Sequence, residues 1–447
     1  MPADARRSAV EALVRVHREG GYSHLVLDTM LERSGWTEED RAFASRLFYG
    51  VIERRLTLDY VLASRSRIKL KKLHPTVLEI LRVGAYQLLY MDRVPAAAAV
   101  NEAVRLSRSM KQERSAGFVN AVLRAVERDK SRLFDDLPAG REGLSVRTSC
   151  PVPLLSLWEK AYGQEMAARL AESANEPPPA YIRVNTLKTT QDAFCAEAER
   201  AGVELEPYPA LPGCLRVKNP AALKKLAQTF ESWYYYQDMA SQLCCRALAP
   251  QPGERVADLC AAPGGKTLTA AQYMENQGEI LAGDLYPAKC AAMEKRAGAM
   301  GVSILRAVVR DASAPCPEPL RGRFDRVLCD VPCSGLGVIR RKPEIRYKDP
   351  ADFVSLPSVQ YAILCEGARM VREGGVLQYS TCTLNPAENA AVSARFLAEH
   401  PDFSPRPLPL DQSLWDGRGA SHEVTLFPPL HGTDGFYIAG FTRRAKE

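Results

Sequence analysis

At 447 residues the chain is long enough for about three domains, each with a core of its own. Its composition, 46% hydrophobic and 25% charged without a low-complexity tract, is globular, and no apolar run nears the ~20 residues of a membrane span. The net charge of +6 lies entirely in residues 1–140, where 24 Lys and Arg face 18 Asp and Glu. That placement hints at an anionic partner, although solvated helices also carry such an excess.

The opening "MPADARRSAVEALVRV" reads as an amphipathic helix carrying Asp4 and Glu11, with no signal-peptide core. Apolar residues at three- and four-residue spacing then predict helices through about residue 133. Thr37 and Asp40 cap one of them, and Pro75 and Pro95 punctuate later ones. Within this stretch "RSRIKLKK", residues 65–72, is densely basic; a solvated surface or contact with RNA accounts for it equally well. Residues 135–153, rich in Pro, Gly and Ser, read as a linker, and 154–174 as a helix broken by "NEPPP". From 180 the order strand, helix, strand, strand, helix, strand fits a small α+β unit of split-βαβ, RRM-like type.

From 253 onward strands and helices alternate, which predicts a doubly wound, Rossmann-like α/β sheet with ligands at the carboxyl ends of its strands. The expected domains are 1–140, all-α; 141–236, helical plus α+β; and 237–447, α/β. Twelve cysteines, none before residue 150 and none in a zinc pattern, suggest free thiols in a cytoplasmic protein without a metal site.

"DLCAAPGGKT", 258–267, follows the first strand of this last domain and opens a helix. Gly264 and Gly265 let backbone approach a ligand, and the helix start favours an anionic group. Asp284, Asp311 and Asp330 close the next three strands, so acids follow four successive strands at one rim. A single such Asp is more simply a turn residue; four in register suggest a pocket. The loop lacks GxGxxG and GxxxxGK[ST], which disfavours dinucleotide oxidoreductases and NTPases. Acids around the pocket suit an adenosine bearing a sulfonium, S-adenosyl-L-methionine.

Two cysteines share that rim. Cys333 lies in "CDVPCSGLGVIRRKPEIRY" and Cys382 in "VLQYSTCTLNPAEN", between a strand and a helix expected over 386–399. Asn385 as N-cap, Pro386 and Glu388 mark that helix start, whose field would favour a Cys382 thiolate. Each cysteine could instead be a small buried hydrophobe. Paired thiols suit methylation of a pyrimidine at carbon 5: a thiolate adds to carbon 6, making carbon 5 nucleophilic, and a second group assists proton loss and thiolate release. Arg340, Arg341 and Lys342 supply positive charge beside this loop for an RNA backbone. The residues alone do not order the two thiols.

The three motifs "DLCAAPGGKT", "DVPCSGLGVIRRKPEIRY" and "YSTCTLNPAEN" resemble those of the bacterial ribosomal RNA cytosine-carbon-5 methyltransferases of the Sun/Fmu (RsmB) type. Residues 1–140, with "VNEAV" and "GFVNAVLR", resemble the helical RNA-binding domain related to NusB. The resemblance implies that Cys382 bonds to cytosine and Cys333 assists product release. It also implies that Cys260, Ala261, Ala262, Pro263, Gly264, Gly265, Lys266, Asp284, Asp311 and Asp330 line the cofactor site. Its implied partner is 16S ribosomal RNA of the small subunit, met by a monomer without a membrane. Departures are "DVPC" for "DAPC", Tyr347 where Trp is frequent, and "CPVP" at 150–153. Transfer RNA is an alternative substrate, and a non-catalytic, antitermination-like RNA-binding protein an alternative class.

Overall fold

The computed structural model describes residues 4–19, 23–32, 35–415 and 421–445; the first three residues of the expected opening helix lie outside them. The chain forms two compact units: residues up to Glu176 together with Ile339–Lys348, and Pro177–Val338 together with Asp349–Glu447. Residues 141–176, grouped with the middle domain on sequence, thus lie in the first unit. Among the described residues no helix is long and apolar enough to cross a membrane.

The first unit is all helical. Thr37 caps helix Glu38–Glu53 as expected, its hydroxyl oxygen accepting from the Asp40 N–H at 3.2 Å. The central helix, Pro75–Tyr90, buries Val77, Ile80, Leu81, Val83 and Leu88. Each such side chain contributes about 1.5–3 kcal/mol of hydrophobic stabilisation. A Cβ at Gly84 would meet Leu123 Cδ1 at 2.6 Å, so helix Ala116–Arg128 packs on bare backbone there. Helix Pro75–Tyr90 also buries Glu79 and Arg82, which pair at 2.6 Å; Arg82 also reaches Asp59 at 2.7 Å, and Glu79 meets His17 at 2.8 Å.

The expected linker is partly helical, Gly140–Thr148. It is pinned through Ser149, whose Oγ accepts from the Leu56 N–H at 2.8 Å. The expected helix 154–174 is two, Val152–Tyr162 and Gln164–Ser173, separated at Gly163, whose φ of +84° suits glycine.

Residues 339–348 behave as part of this unit. Arg346 is 2% exposed and donates to the carbonyls of Ala174 (2.9 Å), Glu53 (3.3 Å) and Thr148 (3.4 Å). Tyr347 donates to Ile52 O at 2.8 Å, bonds Ser149 Oγ at 3.0 Å, and carries the Arg55 guanidinium 3.7 Å above its ring.

The second unit holds two sheets. The smaller contains β1 (Ala180–Val184), β2 (Leu205–Pro207), β3 (Cys214–Val217) and β4 (Tyr234–Tyr236), antiparallel in the order β2-β3-β1-β4. Helices Gln191–Arg200 and Pro220–Phe230 supply Phe194 and Leu223 to a core with Ile182, Val184 and Leu215. This is the split-βαβ arrangement expected from sequence.

The larger sheet contains β5 (Arg255–Asp258), β6 (Glu279–Asp284), β7 (Leu305–Val309), β8 (Phe324–Asp330), β9 (Val371–Thr381), β10 (Phe403–Pro405), β11 (Glu423–Leu426) and β12 (Phe436–Arg443). Its order is β10-β12-β9-β8-β5-β6-β7, with β11 paired to β12. Strands β5 to β9 run parallel, whereas β12 is antiparallel to β9, so the sheet is mixed. The order reverses beside β5, between β6 and β8. Such a switch point opens a crevice at the strands' carboxyl ends, where ligands bind in open α/β sheets.

Candidate active site

The crevice is built first by the loop after β5. Gly264 has φ +93°, and a Cβ there would lie 2.9 Å from Met293 Cγ; helix Gly265–Tyr273 starts at the next residue. The resulting cleft has a volume of about 200 Å³. Cys260, Ala261, Ala262, Pro263, Gly265 and Lys266 line one wall, with Asp258 and Asp330 at the strand ends. Gln237, Asp238 and Arg296 also line the cleft.

Electrostatics divide these groups into paired and waiting ones. Lys266 Nζ lies 2.8 Å from Asp330 Oδ2, and Ser380 Oγ donates to Asp330 Oδ1 at 2.8 Å. Burial alone would discharge the lysine, but Asp330 beside it holds the ammonium charged above its ordinary range. Asp258 is 2% exposed, and its carboxyl is pushed up to about 7, by burial first and by the Asp330 charge second. Thr267 donates to Asp258 Oδ2 at 2.7 Å, while Oδ1 has no hydrogen-bond partner. Gln237, also in the lining, accepts from Thr269 through Oε1 at 2.8 Å, but its buried Nε2 has no partner either. An unmet acceptor and an unmet donor lining one cleft suit a ligand bearing both an ammonium and a carboxylate. The Cys260 thiol is pushed up by burial and by the surrounding acids, so it stays protonated.

The second feature is a thiol pair. Cys382 directly follows β9 and Cys333 follows the neighbouring parallel strand β8 by three residues. Their sulfurs are 3.3 Å apart. The residues after them repeat the contact, Ser334 Oγ to Thr383 Oγ1 at 2.7 Å, and the Gly337 N–H donates to Cys382 O at 3.0 Å. The hydrogen bond with Cys382 and then burial raise the Cys333 thiol well above its ordinary range, so Cys333 keeps its proton at neutral pH.

The expected helix 386–399 is corrected. Asn385 caps a short 3-10 turn, Pro386–Glu388, its Oδ1 accepting from the Ala387 N–H at 3.2 Å. The α-helix, Ala390–Glu399, begins eight residues after Cys382. Glu388 turns inward, fully buried, instead of reaching back to the Asn385 N–H. The Cys333 thiol lies against the Cys382 sulfur, while the α-helix start is eight residues away in sequence.

Other expected site residues are less concentrated. Asp284 ends β6 outside the cleft lining, accepting from the Tyr286 N–H at 3.1 Å and lying 3.8 Å from Lys289. Asp311 is exposed and accepts the hydroxyl and N–H of Ser313, which hold its carboxyl below the usual range, as a turn Asp does. Arg340, Arg341 and Lys342 belong to the other compact unit; Arg340 is 8% exposed, whereas Arg341 and Lys342 are exposed. Sequence reading missed Gln237, Arg296 and the inward turn of Glu388.

Comparisons with known proteins agree in three segments. The family description "16S rRNA methyltransferase RsmB/F" matches residues 245–442, "NusB family" residues 3–128, and the RsmF/B-like ferredoxin-like domain residues 150–224. The probable ribosomal RNA small subunit methyltransferase B of Bacillus subtilis is 34% identical, with 98% of each chain covered. Ribosomal RNA small subunit methyltransferase B of Klebsiella pneumoniae is 31% identical, again with 98% of each covered. The crystal structure of PH0851 superposes with a TM-score of 0.81 at 26% identity, covering 99% of both chains. With a helical NusB-like part, a ferredoxin-like part and a mixed α/β sheet bearing the cleft, this chain belongs to the RsmB/F family of 16S rRNA methyltransferases.

Proposed function

We propose that this chain methylates carbon 5 of a cytosine in the small subunit's 16S ribosomal RNA, using S-adenosyl-L-methionine and a covalent bond between Cys382 and the base. The observation carrying this reading is the 3.3 Å approach of two thiols from neighbouring strand ends. The cofactor supplies an electrophilic methyl group when bound, and the unmet Gln237 donor and Asp258 acceptor fit its carboxylate and ammonium.

Cys382 thiolate adds to carbon 6 of the cytosine, which makes carbon 5 nucleophilic enough to take the methyl group. A water molecule takes the carbon-5 proton, the electron pair of that C–H bond restores the carbon 5–carbon 6 double bond, and the carbon 6–sulfur bond breaks to regenerate the Cys382 thiolate. Cys333, protonated and hydrogen-bonded to that sulfur, assists release by donating a hydrogen bond to the departing thiolate. Arg341 and Lys342, both exposed, contribute positive charge for phosphate contacts. A base in folded RNA must be unstacked to meet a thiol, at a cost of a few kcal/mol, which suits a chain carrying separate RNA-holding parts.

The test uses Cys333→Ala, Cys382→Ala and the double variant. With 16S rRNA and cofactor, denaturing gels are expected to reveal a nuclease-sensitive, slower-migrating protein–RNA adduct with Cys333→Ala alone. Adduct only with Cys382→Ala would exchange the two roles. No adduct in any folded, cofactor-binding variant would overturn the covalent reading.

A further inference from the structure

The 3.3 Å sulfur separation lies between two loops that touch directly through Ser334 and Thr383 and through the Gly337 N–H and the Cys382 carbonyl, and a further buried group braces both. The fully buried Glu388 side chain is built for that task. Its Oε2 accepts from the Ser334 N–H and from Gln360 Nε2, both at 2.9 Å, and its Oε1 accepts from Asn385 Nδ2 at 2.9 Å. Gln360 Nε2 also donates to Pro332 O at 3.0 Å. Pro332 and Ser334 flank Cys333, so one carboxylate–amide pair fixes the peptide groups on both sides of that thiol. Asn385 belongs to the loop of Cys382, and Tyr379 donates its hydroxyl to the Glu388 carbonyl, tying the same turn to β9. Three neutral donors converge on the side chain, so the position calls for an acceptor-only group. An amide would turn an N–H against one of those donors. Burying a carboxylate among neutral groups is unfavourable, and a site that tolerates it calls for a reason beyond packing.

We propose that Glu388 is a positioning residue that clamps the Pro-Cys and Thr-Cys loops together and so sets the distance between the attacking and releasing thiols. The proposal rests on the two-thiol mechanism above. A displacement on the order of 1 Å can cost about 100-fold in rate, while the cofactor cleft and the RNA-holding surfaces lie on other residues.

Full-length Glu388→Gln and Gln360→Met are compared with the wild type and with Glu399→Gln, a surface control. The measurements are S-adenosylhomocysteine affinity, KM and kcat on 16S rRNA, melting temperature, and covalent RNA adduct with both cysteines intact. For Glu388→Gln the expectation is ligand affinity and KM within about twofold of wild type and kcat lower by about 10- to 100-fold. Adduct should accumulate as well, because release lags behind attack. A purely structural role would move melting and affinity without retaining adduct. Wild-type kcat and adduct in a variant that binds S-adenosylhomocysteine normally would overturn the clamp. If Glu388→Gln does not bind the ligand, Gln360→Met, which removes the donor shared by Glu388 and Pro332, decides by the same readings. Absence of adduct in Cys333→Ala itself would instead remove the covalent mechanism and the clamp with it, a result distinct from failure of the clamp alone.

Discussion

Glu79 in the helical unit and Asp258 in the catalytic sheet are each 2% exposed, yet they keep different company. Glu79 sits between Arg82 and His17; burial pushes its carboxyl up, but these partners outweigh burial and hold it below the usual range. Asp258 has the Thr267 hydroxyl and the Cys260 N–H beside its carboxyl, too little to offset burial, and the carboxyl rises to about 7. Buried charge in the first unit is neutralised locally and serves packing. At Asp258 the buried carboxyl is left short of partners in the lining of a cleft, the pattern by which perturbed groups mark functional sites.

The contrast can be broken most severely at Arg82. Arg82→Met leaves Glu79 and Asp59 without their cation, and a loss of about 3–5 kcal/mol is expected from urea denaturation. A loss below about 1 kcal/mol would mean that the pairing matters little.

Asp258 carries the next largest effect, with a defined sign. Its folded pKa lies above the unfolded value of about 3.9, so between roughly pH 4 and 7 the native state holds a proton that the unfolded chain has released. The stability this group adds is complete below about pH 4 and is lost as pH rises through 7, at no more than ~1.4 kcal/mol per pH unit. Asp258→Asn lacks this dependence and should gain on the wild type by about 2 kcal/mol between pH 5 and 6.5. Parallel stability–pH curves for the two proteins would refute the assignment.

At the small end, Arg7 and Glu11 pair at 2.9 Å on an exposed helix face, about half accessible on both sides. Arg7→Ala should change stability by no more than about 0.5 kcal/mol, and added salt should erase even that. A larger change would blur the distinction between buried and surface charge.

The parts of the site legible in the sequence are those written locally. Asp258 to Lys266 fall within one strand–loop–helix unit, and Cys333 and Cys382 each follow a strand whose pattern could be read. Glu388 could not be read, because its position three residues after Asn385 imitates a capping box. Its actual partners, Ser334 and Gln360, are 54 and 28 residues away. Gln237 closes an aromatic run with no periodicity to mark it, and its role depends on the loop after β5 facing it. Strands β10 and β11, three and four residues long, are too short for alternation to show. The basic run after Cys333 reads as an RNA-facing turn, although its later residues Ile345 and Arg346 are buried in the helical unit.

That excursion has a consequence for biosynthesis. Because Ile339–Lys348 complete the first unit, that unit cannot finish packing when its first 176 residues have been made. At roughly 5–20 residues per second, the ~160 residues between Glu176 and Ile339 delay completion by about 8–30 s. During that interval the carbonyls of Glu53, Thr148 and Ala174 lack the Arg346 guanidinium that later bonds them, although Thr148 can already accept from Asn175 Nδ2.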